Sequence, residues 1–229
     1  MKVVLFDLDD TLFAHTAAVD TGVLVYLAAR GWPSRDDALA RWHELEELHY
    51  HRYLRGEIGF LDQRVARITD FAAHHGVAVE DPAASYQQYF VEYERAWAAH
   101  DDALACLDAM PGTRFGIITN GERDFQLPKL EAIGLLDRFE HVVASGSLGL
   151  AKPDRRIFEH AVSLFGVAPA DAAYVGDRFE TDAVGARDAG LTGVWVDRLG
   201  NATAAQAAAA AASGVHIVRG LAEVPALLA

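Results

Sequence analysis

The feature that most constrains the fold is an alternation of short apolar runs with helical segments after Asp101. Each run is too short for a helix and rich in β-branched residues, which is typical of a buried strand. Strands that alternate with helices indicate βαβ units and a parallel sheet. With one run at the N-terminus, the predicted strands are Val3–Phe6, Arg114–Thr119, His141–Ala144, Ala172–Val175, Gly193–Val196 and Val215–Val218.

The segment before Asp101 has a different pattern. From Thr16 onward, apolar residues recur at helical spacing and no convincing strand is present, so we predict an inserted domain of about four helices. The insertion spans residues 16–99, and residues 1–15 and 100–229 form the α/β core. Its histidines invite a metal-site interpretation, but His49 and His51 are two apart and would not share a helix face. We therefore assign them to the core and rim of the bundle.

An acidic motif follows the first strand directly, in the sequence Asp7-Leu8-Asp9-Asp10-Thr11. Ligands of open α/β sheets bind at the carboxyl ends of the strands, which is where this motif lies. Asp7 and Asp9 are two apart, so an extended chain would direct both side chains the same way. Carboxylates held so close need a shared proton, a lysine or a divalent cation between them.

Polar residues also follow two other strands. Thr119 and Asn120 end the second strand, and this hydroxyl and amide can hold an anion beside the following helix N-terminus. Lys152 precedes a helix that Pro153 opens. It is one of only three lysines, with Lys2 and Lys129, which favours a role as a fixed counter-charge.

A second pair of acids follows a later strand: Asp177 stands at its end, and Asp182 lies five residues further along. Helix capping explains one of these acids well and two less well. Together with Asp7 and Asp9 they provide the oxygen ligands that Mg²⁺ prefers.

Composition limits the classes of partner. The net charge of −13 excludes binding of a nucleic acid polymer through a basic surface. No apolar run approaches the ~20 residues needed to cross a membrane. The single cysteine, Cys106, excludes an internal disulfide and indicates a reducing compartment. We expect a cytoplasmic monomer or homodimer without a membrane partner.

Taken in order, Asp7-x-Asp9-x-Thr11, Thr119-Asn120, Lys152-Pro153 and Gly176-Asp177 with Asp182 resemble the motifs of the haloacid dehalogenase superfamily. The resemblance covers the whole chain. It implies a doubly wound Rossmann-like parallel sheet, and the helical insertion resembles the cap of the first subclass. It also implies a phosphatase that acts on a small phosphorylated metabolite, either a nucleoside monophosphate or a sugar phosphate.

The resemblance assigns a role to each reacting residue. Asp7 looks like the nucleophile that accepts the phosphoryl group as an aspartyl-phosphate. Asp9 looks like the acid/base that protonates the leaving group and later activates water. Thr119 and Asn120 resemble the phosphate-holding pair. Lys152 resembles the residue that offsets the charge of phosphate and carboxylate.

A Mg²⁺ cofactor is implied in the same way. Its ligands would be Asp7, Asp177 and the backbone carbonyl of Asp9. Asp182 and Thr11 resemble supporting residues, with Asp182 ranking below Asp177 as a direct ligand.

Several alternatives stay open on the sequence alone. A phosphomutase shares all four motifs and differs in the cap. A 2-haloacid dehalogenase needs neither Mg²⁺ nor the second aspartate, so Asp9 counts against it. A non-catalytic binding module with this fold is the remaining possibility. In the cap, Arg64 is either a contact for the leaving group that sets specificity or a solvated residue of the helix surface.

Overall fold

Six strands form one fully parallel sheet in the computed structural model of the chain, which describes residues 1–229. The strands are β1 Val3–Phe6, β2 Arg114–Thr119, β3 His141–Ala144, β4 Ala172–Gly176, β5 Thr192–Val196 and β6 His216–Val218. Their order across the sheet is β3-β2-β1-β4-β5-β6. The predicted parallel sheet is confirmed, and each predicted strand agrees with the observed one to within one residue at either end.

The direction of winding reverses at β1, the strand at the centre of the sheet. The chain adds β2 and β3 on one side of β1 and then places β4, β5 and β6 on the other. Phe6 at the end of β1 is level with Ile117 of β2 and with Val175 of β4. The carboxyl ends of these three strands therefore meet at one edge, at the switch point where doubly wound sheets bind ligands.

The chain divides into two compact units. Met1–Ala14 and Ala98–Ala229 contain the sheet, and His15–Trp97 contains helices only. The helices of the second unit are α1 His15–Arg30, α2 Ala38–Leu54, α3 Phe60–His74 and α4 Pro82–Arg95. The role of this helical unit as a substrate-covering cap stays a prediction.

Aromatic side chains form the core of the helical unit. The Trp42 ring lies 4.3 Å from the Tyr89 ring and 4.9 Å from the Phe71 ring, centroid to centroid, and all three side chains are buried. Aromatic pairs at such distances add to the free energy that burial supplies. His49 is buried at the edge of this core, where its ring nitrogen Nε2 is 2.8 Å from Asp70 Oδ2.

Seven α-helices surround the sheet in the first unit. They are α5 Ala103–Asp108, α6 Arg123–Ala132, α7 Ser145–Leu148, α8 Arg155–Phe165, α9 Gly185–Asp188, α10 Ala204–Ser213 and α11 Val224–Leu228. A π-helical turn, Phe179–Val184, leads into α9, and such turns are frequent at functional sites. None of the helices of the chain combines the length and the apolar character that crossing a membrane requires.

Helix α8 covers one face of the sheet. Its apolar side chains, among them Phe158 and Phe165, belong to one buried cluster with Leu5 of β1 and Tyr174 of β4. Each such buried side chain contributes about 1.5–3 kcal/mol to folding. Gly116 makes the packing possible, because a Cβ there would lie 2.8 Å from both Leu5 and Phe165. The tight packing fixes β1, β2 and β4, and with them the edge from which the polar residues emerge.

Candidate active site

The predicted polar residues of three neighbouring strands come together at the carboxyl edge of the sheet. Asp7 follows β1, Thr119 ends β2 and Asp177 follows β4. The backbone N–H of Asp7 donates to Val175 O at 2.9 Å, which extends the pairing of β1 with β4 by one residue. Asp7 is therefore held at the sheet edge by the same hydrogen bonds that hold the strand.

The amino group of Lys152 lies between two buried aspartates. Its Nζ donates to Asp7 Oδ1 at 2.6 Å and to Asp182 Oδ1 at 2.7 Å. It also donates to the Tyr174 hydroxyl at 2.6 Å, and that hydroxyl donates to Ile118 O at 2.8 Å. Lys152 is only 5% exposed. One buried ammonium thus faces two carboxylates, and the cluster keeps an excess of negative charge.

This excess raises the pKa of two aspartates. Burial raises the pKa of Asp7 to about 7, with repulsion from Asp182 adding to it and Lys152 acting in the opposite direction. Burial and the neighbouring carboxylates of Asp7 and Asp182 hold the pKa of Asp177 well above its usual range. Ionising either group therefore costs free energy unless a cation compensates the negative charge.

Three carboxylates of the site fit a divalent cation. One oxygen each of Asp7, Asp177 and Asp182 lie within 4.8 Å of one another. Asp182 gives Oδ1 to Lys152 and Oδ2 to the backbone N–H of Arg178, at 3.0 Å. Oδ2 of Asp7 and the carboxylate of Asp177 accept no such bonds, so these two aspartates offer the ligand atoms. The chemistry of this donor set suits a hard cation such as Mg²⁺.

Asp182 has a supporting position in the π-helical turn. Gly176 leaves room for it, because a Cβ at position 176 would overlap the Asp182 carboxylate. Trp195 Nε1 donates to Asp177 O at 2.8 Å and holds the same loop from β5. These contacts agree with the expectation that Asp182 is less suited than Asp177 to bind the metal directly. The role of Asp182 stays a prediction.

Asn120 holds the backbone of Lys152. Its Nδ2 donates to Lys152 O at 2.9 Å, and its Oδ1 accepts from Lys152 N at 2.7 Å. A side-chain amide can donate to the C=O and accept from the N–H of one residue in this reciprocal arrangement. Asn120 therefore positions the lysine, and the predicted contact of its side chain with phosphate stays a prediction.

Asp9 is held by two residues that the sequence analysis did not select. Lys129 Nζ donates to Asp9 Oδ1 at 2.6 Å, and Gln126 Nε2 donates to Asp9 Oδ2 at 2.9 Å. The same Gln126 nitrogen donates to Thr119 Oγ1 at 2.8 Å. The scarcity of lysine that drew attention to Lys152 applies equally to Lys129, three residues after Gln126 on α6. That spacing places both on one helix face and was a usable signal.

Thr11 lies in the turn that follows β1. Backbone N–H groups of Thr11, Leu12 and Phe13 approach Leu8 O, and Asp10 has a left-handed φ of 59°. The Thr11 side chain is fully buried, and its hydroxyl has no hydrogen-bond partner. The Thr11 side chain thus fills the turn that carries Asp9, and its predicted supporting role stays a prediction.

Arg64 in the helical unit is half-buried. Its guanidinium lies over three aromatic rings, 4.6 Å from the centroid of Phe60, 4.9 Å from Phe90 and 5.5 Å from Tyr86. Burial lowers its pKa. Cation–π contacts of this kind orient a guanidinium. Its contact with a leaving group stays a prediction.

Comparison with known proteins identifies the family. Residues 1–190 match the haloacid dehalogenase-like hydrolases. The chain belongs to this family. The resemblance inferred from the four motifs is confirmed, and it extends over more than four-fifths of the chain in the relatives described next.

Two relatives in this hydrolase family are phosphatases by name. The chain is 34% identical to the phosphoserine phosphatase of Thermus thermophilus, over 86% of this chain and 89% of that protein. It is 29% identical to the glyceraldehyde 3-phosphate phosphatase of Pyrococcus furiosus, over 85% of this chain and 80% of that protein. The magnesium-bound HAD hydrolase YfnB of Bacillus subtilis has the same fold, with a TM-score of 0.81, 21% identity and coverage of 99% and 98% of the two chains.

Asp177→Asn is expected to stabilise the metal-free hydrolase at alkaline pH. The pKa of Asp177 is raised from 3.8 in the folded state, so its contribution to stability is present below about pH 4 and lost as pH rises through the raised value. Asn removes the charge that repels Asp7 and Asp182. In EDTA at pH 8 the melting temperature should rise by about 2–4 °C for each kcal/mol of repulsion removed.

Thermal unfolding of both proteins between pH 4 and pH 8 checks this expectation. Asp188→Asn is the matched control, because that carboxylate is exposed beside Arg187. Equal melting temperatures for wild type and Asp177→Asn across the whole range would contradict it.

Proposed function

We propose that this chain is a Mg²⁺-dependent phosphatase that hydrolyses small phosphate monoesters through an aspartyl-phosphate. The observation that carries the proposal is the pairing of Asp7 with Lys152, with a second aspartate, Asp9, two residues further along the turn. A buried carboxylate with one oxygen unbonded beside an ammonium suits nucleophilic attack on a phosphate. The phosphatase names of two relatives support the same reaction class.

In the first half-reaction, a carboxylate oxygen of Asp7 attacks the phosphorus of the substrate. A P–O bond forms to Asp7, and the bond from phosphorus to the leaving oxygen breaks with its electron pair on that oxygen. Asp9 gives its proton to the leaving oxygen as general acid. Lys152 offsets the negative charge on the phosphoryl oxygens, and the Thr119 hydroxyl donates a hydrogen bond to one of them.

In the second half-reaction, water attacks the phosphorus of the aspartyl-phosphate. Asp9, now a carboxylate, accepts a proton from that water as general base. The P–O bond to Asp7 breaks with its electron pair on the Asp7 oxygen. Inorganic phosphate leaves, and Asp7 and Asp9 return to their starting states.

The Mg²⁺ ion would be held by Asp7, Asp177 and the backbone carbonyl of Asp9. When bound, it supplies positive charge that neutralises the phosphate and the carboxylates around it. The raised pKa values of Asp7 and Asp177 support this assignment, because both groups need a compensating charge to ionise.

Phosphate release from a panel of monoesters tests the function. The panel contains O-phosphoserine, glyceraldehyde 3-phosphate, nucleoside monophosphates, sugar phosphates and p-nitrophenyl phosphate, with Mg²⁺ present. We expect release of inorganic phosphate without an activating bisphosphate. A product that remains an organic phosphate would indicate the phosphomutase alternative, and metal-independent halide release from a 2-haloacid would indicate the dehalogenase. No turnover of any of these compounds would leave only the non-catalytic module.

Asp9→Asn is expected to lower kcat by roughly 10²–10⁴-fold, the range for loss of a positioned acid/base. Asn keeps the shape of the side chain but carries no transferable proton. Steady-state kinetics on the best monoester of the panel measures the loss. A change below threefold would remove Asp9 from the mechanism.

A further inference from the structure

Helix α6 presents two donors to the carboxylate of Asp9. Lys129 reaches Oδ1 and Gln126 reaches Oδ2, so both oxygens are held from the same helix face. The two donors are buried, with 8% and 4% of their surface exposed, while the Asp9 side chain is 31% exposed. A partly exposed carboxylate on a turn is thus held by two rigidly packed side chains.

Packing fixes Lys129 in place. Its Nζ lies 5.0 Å from the centroid of the Phe13 ring, and Phe13 is fully buried in the turn that carries Asp9. A cation over an aromatic face is attracted to it, and burial increases that attraction. Lys129 therefore contacts both the carboxylate and the turn that supports it.

Gln126 links Asp9 to Thr119. Its Nε2 donates to both, and a Cβ at Gly121 would lie 2.5 Å from that nitrogen, so the glycine leaves the space that the amide occupies. Because Thr119 Oγ1 accepts from Gln126, the proton of its hydroxyl can be donated elsewhere. Gln126 Oε1 is buried without a partner, so the hydrogen bonds of this side chain are those that Nε2 donates.

Each of the two lysines in the site binds one of the two motif aspartates. Lys152 binds Asp7 and Lys129 binds Asp9, each at 2.6 Å. The chain has only one other lysine, the exposed Lys2 on Asp171. An ion pair with a structural role alone would not require a second buried lysine beside Asp9. It also would not require an amide, that of Gln126, which donates to both Asp9 and Thr119.

We propose that Lys129 and Gln126 are positioning residues of the reaction, which orient Asp9 toward the leaving-group oxygen and Thr119 toward the phosphoryl group. The proposal rests on the proposed phosphatase function and extends it to α6. A misoriented Asp9 would still carry its carboxyl group but would transfer its proton poorly. The loss should therefore depend on how strongly the leaving group needs that proton.

Phenyl phosphate and p-nitrophenyl phosphate form a matched pair of probes. They have similar shapes, but phenolate needs protonation to leave and p-nitrophenolate does not. For Lys129→Met we expect kcat/KM on phenyl phosphate to fall by roughly 10–100-fold, the usual effect of removing a supporting hydrogen bond to a catalytic group. On p-nitrophenyl phosphate it should fall less than threefold. Since kcat/KM reports the steps up to release of the alcohol, later hydrolysis of the aspartyl-phosphate does not mask the difference.

Gln126→Leu tests the second residue. We expect the same dependence on the leaving group and, in addition, a higher KM on both probes, because the Thr119 hydroxyl loses the donor that orients it. Lys129→Arg retains a donor for Asp9 and should recover part of the loss on phenyl phosphate.

Lys2→Met and Gln88→Leu are the controls, since both residues are exposed and neither belongs to α6. Thermal unfolding shows that each variant is folded. Equal losses on the two probes, or no loss on either, would overturn the proposal while wild-type turnover leaves the phosphatase function intact. Absence of turnover by wild type would overturn both.

Discussion

Asp7→Asn is expected to reduce phosphate release by more than about 10⁴-fold, as removal of a catalytic nucleophile does in other enzymes. Asn is close to Asp in shape but cannot form the acyl phosphate. Lys152 would keep Asp182 and the Tyr174 hydroxyl as partners, so the buried ammonium is not left alone. The variant should therefore fold. Phosphate release and acid-quench trapping of the phosphoenzyme measure the effect.

Stability separates this loss from a folding defect. Asp7 is 7% exposed and has a pKa raised to about 7, so its replacement by a neutral amide relieves repulsion in the metal-free protein above that pH. A melting temperature equal to or above that of wild type in EDTA at pH 8, with turnover absent, fits the assignment. Asp188→Asn should retain full activity. Turnover by Asp7→Asn above about 1% of wild type would identify another nucleophile.

The sheet could be predicted because its strands are short, apolar and separated by helices. Buried parallel strands read as continuous apolar runs, and Val3–Phe6 is such a run. The order of the strands does not follow from the runs themselves. The reversal at β1 depends on which face each crossover packs against, as α8 does through Phe158 and Phe165.

The site could be predicted where its residues follow strands directly. Asp7, Thr119 and Asp177 lie at strand ends, and parallel topology alone brings such positions to one edge. Gln126 and Lys129 lie within a helix, where a polar residue is normally solvated. Their inward direction depends on the packing of α6 and on the space left at Gly121, which only the folded chain shows.

Asn120 illustrates a different limit. A polar residue after a strand predicts that an amide is available at the edge, but not what it will bind. In the folded chain its Nδ2 donates to the backbone O of Lys152 and its Oδ1 accepts from the backbone N–H of the same residue. A motif residue can thus act on the chemistry through the residue that it positions.

Removal of Mg²⁺ is expected to abolish activity, and its return to restore it. Asp7, Asp177 and Asp182 lie together with the single ammonium of Lys152 among them, so a phosphate dianion would meet a site that is already negative. At 4 Å, like unit charges repel by about 4 kcal/mol at an effective dielectric constant of 20. Binding of the substrate phosphate therefore needs a further positive charge.

Titration of the EDTA-treated protein with Mg²⁺ measures this requirement, and two aspartate variants locate it. Asp177→Asn should raise the half-saturating Mg²⁺ concentration by roughly 10–100-fold, because its carboxylate is a proposed ligand that accepts no hydrogen bond. Asp182→Asn should instead lower the melting temperature, because both of its oxygens accept hydrogen bonds, from Lys152 and from the backbone of Arg178. Full activity of the metal-free protein would exclude the cation from the mechanism. If the Mg²⁺ requirement shifts more for Asp182→Asn than for Asp177→Asn, the two assignments are exchanged. The residue that binds the ion must be the one whose replacement weakens Mg²⁺ binding more.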